Sequence, residues 1–109
     1  MRGFLVFWRE HGQRHFRVEE DVLLPAFAAG GGDPRHPCVT RVLSEHVEIR
    51  AMARHAASAP LVELRELAER LTAHVRTEED ELFPLIEATL ESTALAALGE
   101  ELERAESRG

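Results

Sequence analysis

One segment of this chain is written twice. The first copy is His15-Phe16-Arg17-Val18-Glu19-Glu20-Asp21-Val22-Leu23-Leu24-Pro25, the second His74-Val75-Arg76-Thr77-Glu78-Glu79-Asp80-Glu81-Leu82-Phe83-Pro84, and seven of the eleven positions are identical. In each copy a histidine stands four residues before a glutamate, His15 before Glu19 and His74 before Glu78. On an α-helix that spacing puts both side chains on one face, with Cβ atoms about 5–6 Å apart. Two such pairs facing each other inside a helical bundle make a site for two metal ions. The rest of the chain is constrained to bring them together.

Hydrophobic periodicity supplies the helices. Leu5, Trp8, His11, His15, Glu19, Val22 and Ala26 recur at spacings of three and four and predict one helix over 3–29. Pro25 has no N–H to donate and is expected to kink or tighten its last turns. Gly30 is expected to close that helix in the left-handed conformation, opening a loop from Gly30 to Pro37. The glycine run has no strand before it and no Gly-Lys-Ser/Thr after it, so it reads as a connector and not as a phosphate-binding loop. A second helix is predicted over 38–57, with Val39, Val42, Leu43, His46, Ile49 and Ala53 on one face and Arg41, Glu45, Glu48 and Arg54 toward the other. Ser58-Ala59-Pro60 ends it. A third helix from Leu61 carries the stripe Leu64, Leu67, Leu71, His74, Glu78 and Leu82. Pro84 implies a kink, beyond which Leu85, Ile86 and Leu90 continue the apolar face. Ser92 or Thr93 is placed to cap a short final helix through Glu106, with Leu95, Leu98 and Leu102 inward. No segment alternates as a strand does. The expected fold class is all-α: three long helices plus a short C-terminal one.

The polar residues on those stripes carry the chemical information. His74 and Glu78 occupy core positions between Leu71 and Leu82, and His15 and Glu19 do so between Trp8 and Val22. His46 is in register with Val42 and Ile49. A buried carboxylate without a partner costs several kcal/mol or gives up its charge. Two of them, each one turn from a histidine in the same local sequence, share a cause, and bound cations supply it. Taken singly, His46 reads as a hydrogen-bonded core histidine, and a Glu–imidazole salt bridge would also satisfy burial without metal. Glu20 and Glu79 lie about 140° around the helix from their histidines, at about 100° per residue, which points them to solvent or to a contact outside the metal ligands. Arg17 and Arg76 face away. His55 is out of phase with His46 and expected to be exposed, and His36 is in a loop. Cys38, at a helix start, reads as a buried small hydrophobe. His11, one turn before His15 on the same stripe, is either a further ligand or an imidazole just outside the ligand set.

Composition narrows the setting. A chain of 109 residues is read as a single domain over 1–109. A net charge of −7 argues against nucleic acid or an anionic membrane as partner. One cysteine forms no internal disulfide and fits a reducing cytoplasm, and the apolar run from Phe4 to Trp8 is too short for a signal peptide or a span.

At this point the residues resemble the hemerythrin family, in the broad form called the HHE cation-binding domain. The resemblance rests on Phe7-Trp8 leading to His15 through Glu20 and Leu23-Leu24-Pro25, on Glu45 through Arg50, and on Leu71 through His74 to Leu82-Phe83-Pro84, in that order. It implies an up-down four-helix bundle, the architecture of myohemerythrin, around a non-haem di-iron centre. His15 would bind one iron and Glu19 would bridge the pair. His74 and Glu78 would do the same from the third helix, His46 would bind terminally, and an oxo or hydroxo group would complete the bridging. Zinc or manganese suits the same donors. The family's bundle has a helix, with a further histidine ligand, before the Trp-containing one; this chain is expected to lack it, which leaves either a shortened bundle with an incomplete centre or one in which the C-terminal helix, a second subunit or His11 compensates. Apolar residues such as Phe4 and Leu5 would then form a patch, and a homo-oligomer is expected. The implied function is to bind or sense dioxygen, nitric oxide or peroxide. Two other functions compete with it. A carboxylate-bridged oxidase would use Glu-x-x-His, the reverse of the order here, and a tyrosyl radical is excluded by the absence of Tyr. A metal-free helical interaction module would leave the buried acids unexplained unless the imidazoles neutralise them.

Overall fold

A computed structural model describes residues 12–55 and 60–107. Phe4, Leu5, Trp8, His11 and the Ser58-Ala59 helix stop lie outside the described residues. Helix α1 covers 13–29 as Gln13–Val18, a wide π-helical turn Glu19–Leu23, and Leu24–Ala29. Helix α2 is Pro37–Arg54. Helix α3 covers 61–89 as Leu61–Thr77, a second π-helical turn Glu78–Leu82, and Phe83–Thr89. Helix α4 is Ser92–Ser107. The described residues contain no strand, so the fold is all-α as the periodicity predicts. The final helix is not short: at 16 residues it nearly equals the 18 of α2.

The two wide turns sit at the same place in the two copies of the repeat, immediately before Pro25 and Pro84. Leu24 N–H donates to the carbonyl of Glu19, and Phe83 N–H to that of Glu78, each five residues back instead of four. A proline ring inside an α-helix collides with the carbonyl four residues earlier and removes its bond. Widening the preceding turn by one residue relieves the collision, and the helix runs on. The prolines therefore widen the turns before them; they do not tighten the last ones.

This extra residue also resets which side chains face inward. From His74 onward, buried residues recur every four positions along α3 and into its C-cap, at His74, Glu78, Leu82, Ile86 and Leu90, with Thr77 buried beside Glu78. In a regular α-helix each step of four overshoots a full turn by about 40°. The wide turn takes up most of that drift. In α1 the same shift buries Leu23 and Phe27 in place of Val22 and Ala26, which the regular period predicts and which are only partly buried.

Two apolar clusters show the helix directions. Leu23 and Phe27 from the end of α1 pack with Val39 and Val42 from the start of α2, with Leu82, Ile86 and Leu90 from the end of α3, and with Leu98 of α4. At the other end Phe16 of α1 meets Ile49 of α2 and Leu67 of α3. Successive long helices are therefore antiparallel, and the residues between these clusters form a middle layer. Leu43, predicted inward, is 39% exposed. Arg14 of α1 donates to the carbonyl of Glu106 at 3.2 Å, tying the last turn of α4 to the first helix.

The connector differs from expectation in one detail. Gly30 has ordinary helical-side torsions, and it is Gly31 that takes the left-handed conformation, at φ 103°. Gly32 then lies so close to the Phe27 ring that a Cβ would collide with it. His36 caps α2, its Nδ1 accepting from Cys38 N–H at 3.0 Å. The first bond of α4 runs from Leu95 N–H to the carbonyl of Glu91, so the helix opens at Ser92 itself.

Candidate metal centre

The middle layer is polar. Glu19 of α1, His46 of α2, and His74 and Glu78 of α3 are all buried there. One ligand atom from each lies within 4.8 Å of all the others. The wide turns contribute directly, because Glu19 and Glu78 are the first residues of those turns. Phe16 forms a wall of the site. Its ring stacks on His46 at 3.9 Å between centroids and meets the edge of His74 at 5.2 Å.

The two carboxylates are split between two sides. Glu19 Oε1 lies 2.9 Å from His46 Nε2, while its Oε2 lies 3.2 Å from His15 Nε2. Glu78 Oε2 lies 3.1 Å from His74 Nε2 and 3.8 Å from His46 Nε2, while its Oε1 lies 3.6 Å from His15 Nε2. The inner side thus gathers two imidazole nitrogens and two carboxylate oxygens. The outer side has one imidazole nitrogen and the two remaining oxygens. His15 is not the core residue that its stripe predicts, for its side chain is 48% exposed. It closes the site from the solvent side.

Two further acids complete this layer: Glu20 makes the contact outside the metal ligands that its wheel position allowed, and Glu45 joins it against expectation. His46 Nδ1 meets Glu20 Oε2 at 2.6 Å, and His74 Nδ1 meets Glu45 Oε1 at 2.6 Å. Arg50 donates to Glu20 at 2.8 Å, and Arg41 to Glu45 at 3.4 Å and to Glu81 at 2.9 Å. Glu45 is thus turned toward α3 and not away from the core, as its position on the α2 wheel suggested. Its neighbour His46 is the only local hint. Glu79 and His55 are exposed as expected, and Cys38 is buried as expected, with burial pushing its thiol pKa up.

The electrostatics follow from crowding acids and imidazoles in little water. Glu19 and then Glu78 raise His15 to a pKa of about 10, against the opposing effect of burial. Burial would depress His46, but Glu19, Glu78 and Glu20 outweigh it and hold it at about 9. His74 is raised in the same way, burial being overcome by Glu78 and Glu45. Burial would raise Glu78, but the three imidazoles hold its carboxyl well below the usual range. Glu20 is lowered too, because Arg50 and His46 overcome the effect of its partial burial.

A cation fits this site on the structure's own terms. Both oxygens of Glu19, Oε2 of Glu78, and Nε2 of His46 and of His74 are buried with no hydrogen-bond partner. These atoms crowd opposite partners without a well-formed hydrogen bond, a buried arrangement that costs free energy unless a cation or a proton lies between them. With Nδ1 hydrogen-bonded to a glutamate, each inner imidazole turns its Nε2 toward a carboxylate. Only a proton or a metal ion between them makes that contact favourable. Mixed imidazole and carboxylate donors suit iron, zinc or manganese.

The family model for the hemerythrin HHE cation-binding domain matches residues 1–86. That span contains all five of His15, Glu19, His46, His74 and Glu78 and stops short of α4. Neither a curated protein nor a solved structure gives a match.

Proposed function

Since the chain belongs to the hemerythrin HHE cation-binding family, we propose that its buried His/Glu layer holds two iron ions and that the protein binds or senses a small molecule such as dioxygen, nitric oxide or peroxide. The supporting observation is the split of the two carboxylates. Each offers one oxygen to the inner histidines and the other to His15. On this reading Glu19 and Glu78 would hold both ions, an inner one with His46 and His74 and an outer one with His15. An oxo or hydroxo group is the proposed third bridge. His11, on its sequence spacing alone, is either a further ligand or an imidazole just outside the ligand set. Zinc or manganese would occupy the same donors. When bound, the metal pair supplies the redox chemistry and open coordination that a small diatomic or peroxide requires.

This chain's residues then explain access. The inner position is walled by Phe16 and by the apolar clusters above and below it. His15 borders two cavities, of about 530 and 350 Å³. Their shared or flanking walls include Phe16, Val18, Leu71, Phe83, Leu98 and Leu102, an apolar lining suited to an uncharged small ligand. The outer position, with fewer protein ligands and a half-exposed histidine, is the one such a molecule reaches.

Protein expressed with iron is expected to carry about two irons per chain and to absorb in the near ultraviolet as a bridged pair does, and His74→Ala is expected to lose the inner iron. A colourless protein without iron, zinc or manganese would reject the reading in favour of a metal-free module. Catalytic turnover of peroxide or nitric oxide, abolished in Glu19→Ala, would make it an enzyme instead of a binder.

We propose a homo-oligomer in the cytoplasm that engages neither nucleic acid nor membrane. Leu61, Val62 and Val47 are 57–66% exposed, which favours self-association. The net charge of −7 disfavours anionic partners, and no described helix is long and apolar enough to cross a membrane. Light scattering is expected to give a mass of two chains or more; a monomer with a cooperative melting curve would overturn the proposal.

A further inference from the structure

Glu20 and Glu45 do the same thing from different helices. Each meets the Nδ1 of a histidine on the next helix in the chain, Glu20 of α1 reaching His46 of α2 and Glu45 of α2 reaching His74 of α3, both at 2.6 Å. Each is itself held by an arginine of α2, Arg50 or Arg41. These contacts are not a by-product of the repeat. Glu79, which occupies the place of Glu20 in the second copy, is exposed. Among the described residues, His15 has no carboxylate at its Nδ1.

We propose that Glu20 and Glu45 are positioning residues that fix His46 and His74 as ligands of the inner metal position and make it the tighter of the two. The proposal rests on the two-metal reading above. An ionised carboxylate only accepts hydrogen bonds, so the proton of each neutral imidazole sits on Nδ1. The Nε2 lone pair is thereby bared, and the ring is locked so that it faces Glu19 and Glu78. Negative charge behind the ring also makes Nε2 a better donor to a cation. The arginines hold the two carboxylates against the rings. His15 receives neither form of help from the described residues, so the two positions differ in affinity by construction. Loading is then sequential, with the inner position filled first.

Zinc titration of the full chain against a chromophoric chelator tests this, since zinc is redox-silent and leaves the protein diamagnetic. Wild type is expected to bind in two steps of different affinity. Glu20→Gln with Glu45→Gln should weaken the tight step by about 10–100-fold, the usual effect of losing such an outer partner, and leave the weak step in place. Glu79→Gln should change neither. Long-range ¹⁵N–¹H spectra of zinc-loaded wild type should show two imidazoles protonated at Nδ1, with resonances that move in the double variant. If the double variant fails to fold, Glu45→Gln alone carries the comparison for His74. An unchanged tight step, an equal loss in both steps, or protons on Nε2 would each reject the positioning role while leaving the metal reading intact. Wild type that takes up no zinc and no iron would overturn both.

Discussion

Metal-loaded protein is expected to melt about 15 °C or more above the same protein in chelator near neutral pH, and the gap is expected to widen as the pH is raised to about 10. An ion present at a thousand times its dissociation constant stabilises the fold by about 4 kcal/mol, and each kcal/mol moves the midpoint of a domain this size by about 4 °C or more. The pH dependence comes from the same acids and imidazoles. In the metal-free protein His46 and His15 have folded pKa values raised to about 9 and about 10. The stability they contribute is complete below their unfolded value of about 6.5 and is lost as the pH rises through the folded ones. Glu78 is shifted the other way, so its contribution is present above about 4.5 and is lost as the pH falls toward its depressed folded value. Metal-free protein should therefore be most stable between about pH 4.5 and 6.5 and lose stability progressively as the pH rises toward about 9–10. Metal binding runs against this trend, because the ions need the Nε2 lone pairs free and displace the protons that occupy them. Calorimetric melts with and without chelator at the two pH values give the comparison. Equal melting temperatures at both would mean that protons alone neutralise the site.

Phe16→Ala is expected to destabilise the protein by about 3–5 kcal/mol, the range for emptying a buried aromatic position. Phe16 is only 1% exposed, packs with Ile49 and Leu67, and stacks on His46, while the Arg50 guanidinium lies 5.4 Å from its ring centroid. Its loss removes one end of the core and the wall that keeps water from the inner imidazoles. Val22→Ala provides the contrast. The regular helical stripe puts Val22 inside, but the wide turn rotates it to a partly buried place, so this substitution should cost less than about 1.5 kcal/mol. Urea unfolding of the two variants measures the difference. A larger loss for Val22→Ala than for Phe16→Ala would mean that α1 keeps regular helical phase through Glu19–Leu23.

The periodic part of this protein could be read directly from its residues. Apolar positions three and four apart gave the helices, and polar residues in those positions gave Glu19, His46, His74 and Glu78, because burying a charge among leucines is too costly without a reason. What could not be read was everything that depends on a neighbouring helix. Glu20 and Glu79 stand in the same local sequence, yet only Glu20 meets an imidazole, because α2 passes beside it with His46 facing it. Glu45 looked solvent-facing on its own helix until α3 packed alongside. The wide turns have a local cause in Pro25 and Pro84, but their effect on phase, which buries Leu23 and Phe27 and leaves Val22 at the margin, appears only once the helices are packed. A helix's period is set by its own backbone, whereas the partner of a side chain is set by what lies across the bundle. The tertiary structure therefore decided how the acids and imidazoles pair, and with it the difference between the inner and outer sides of the site.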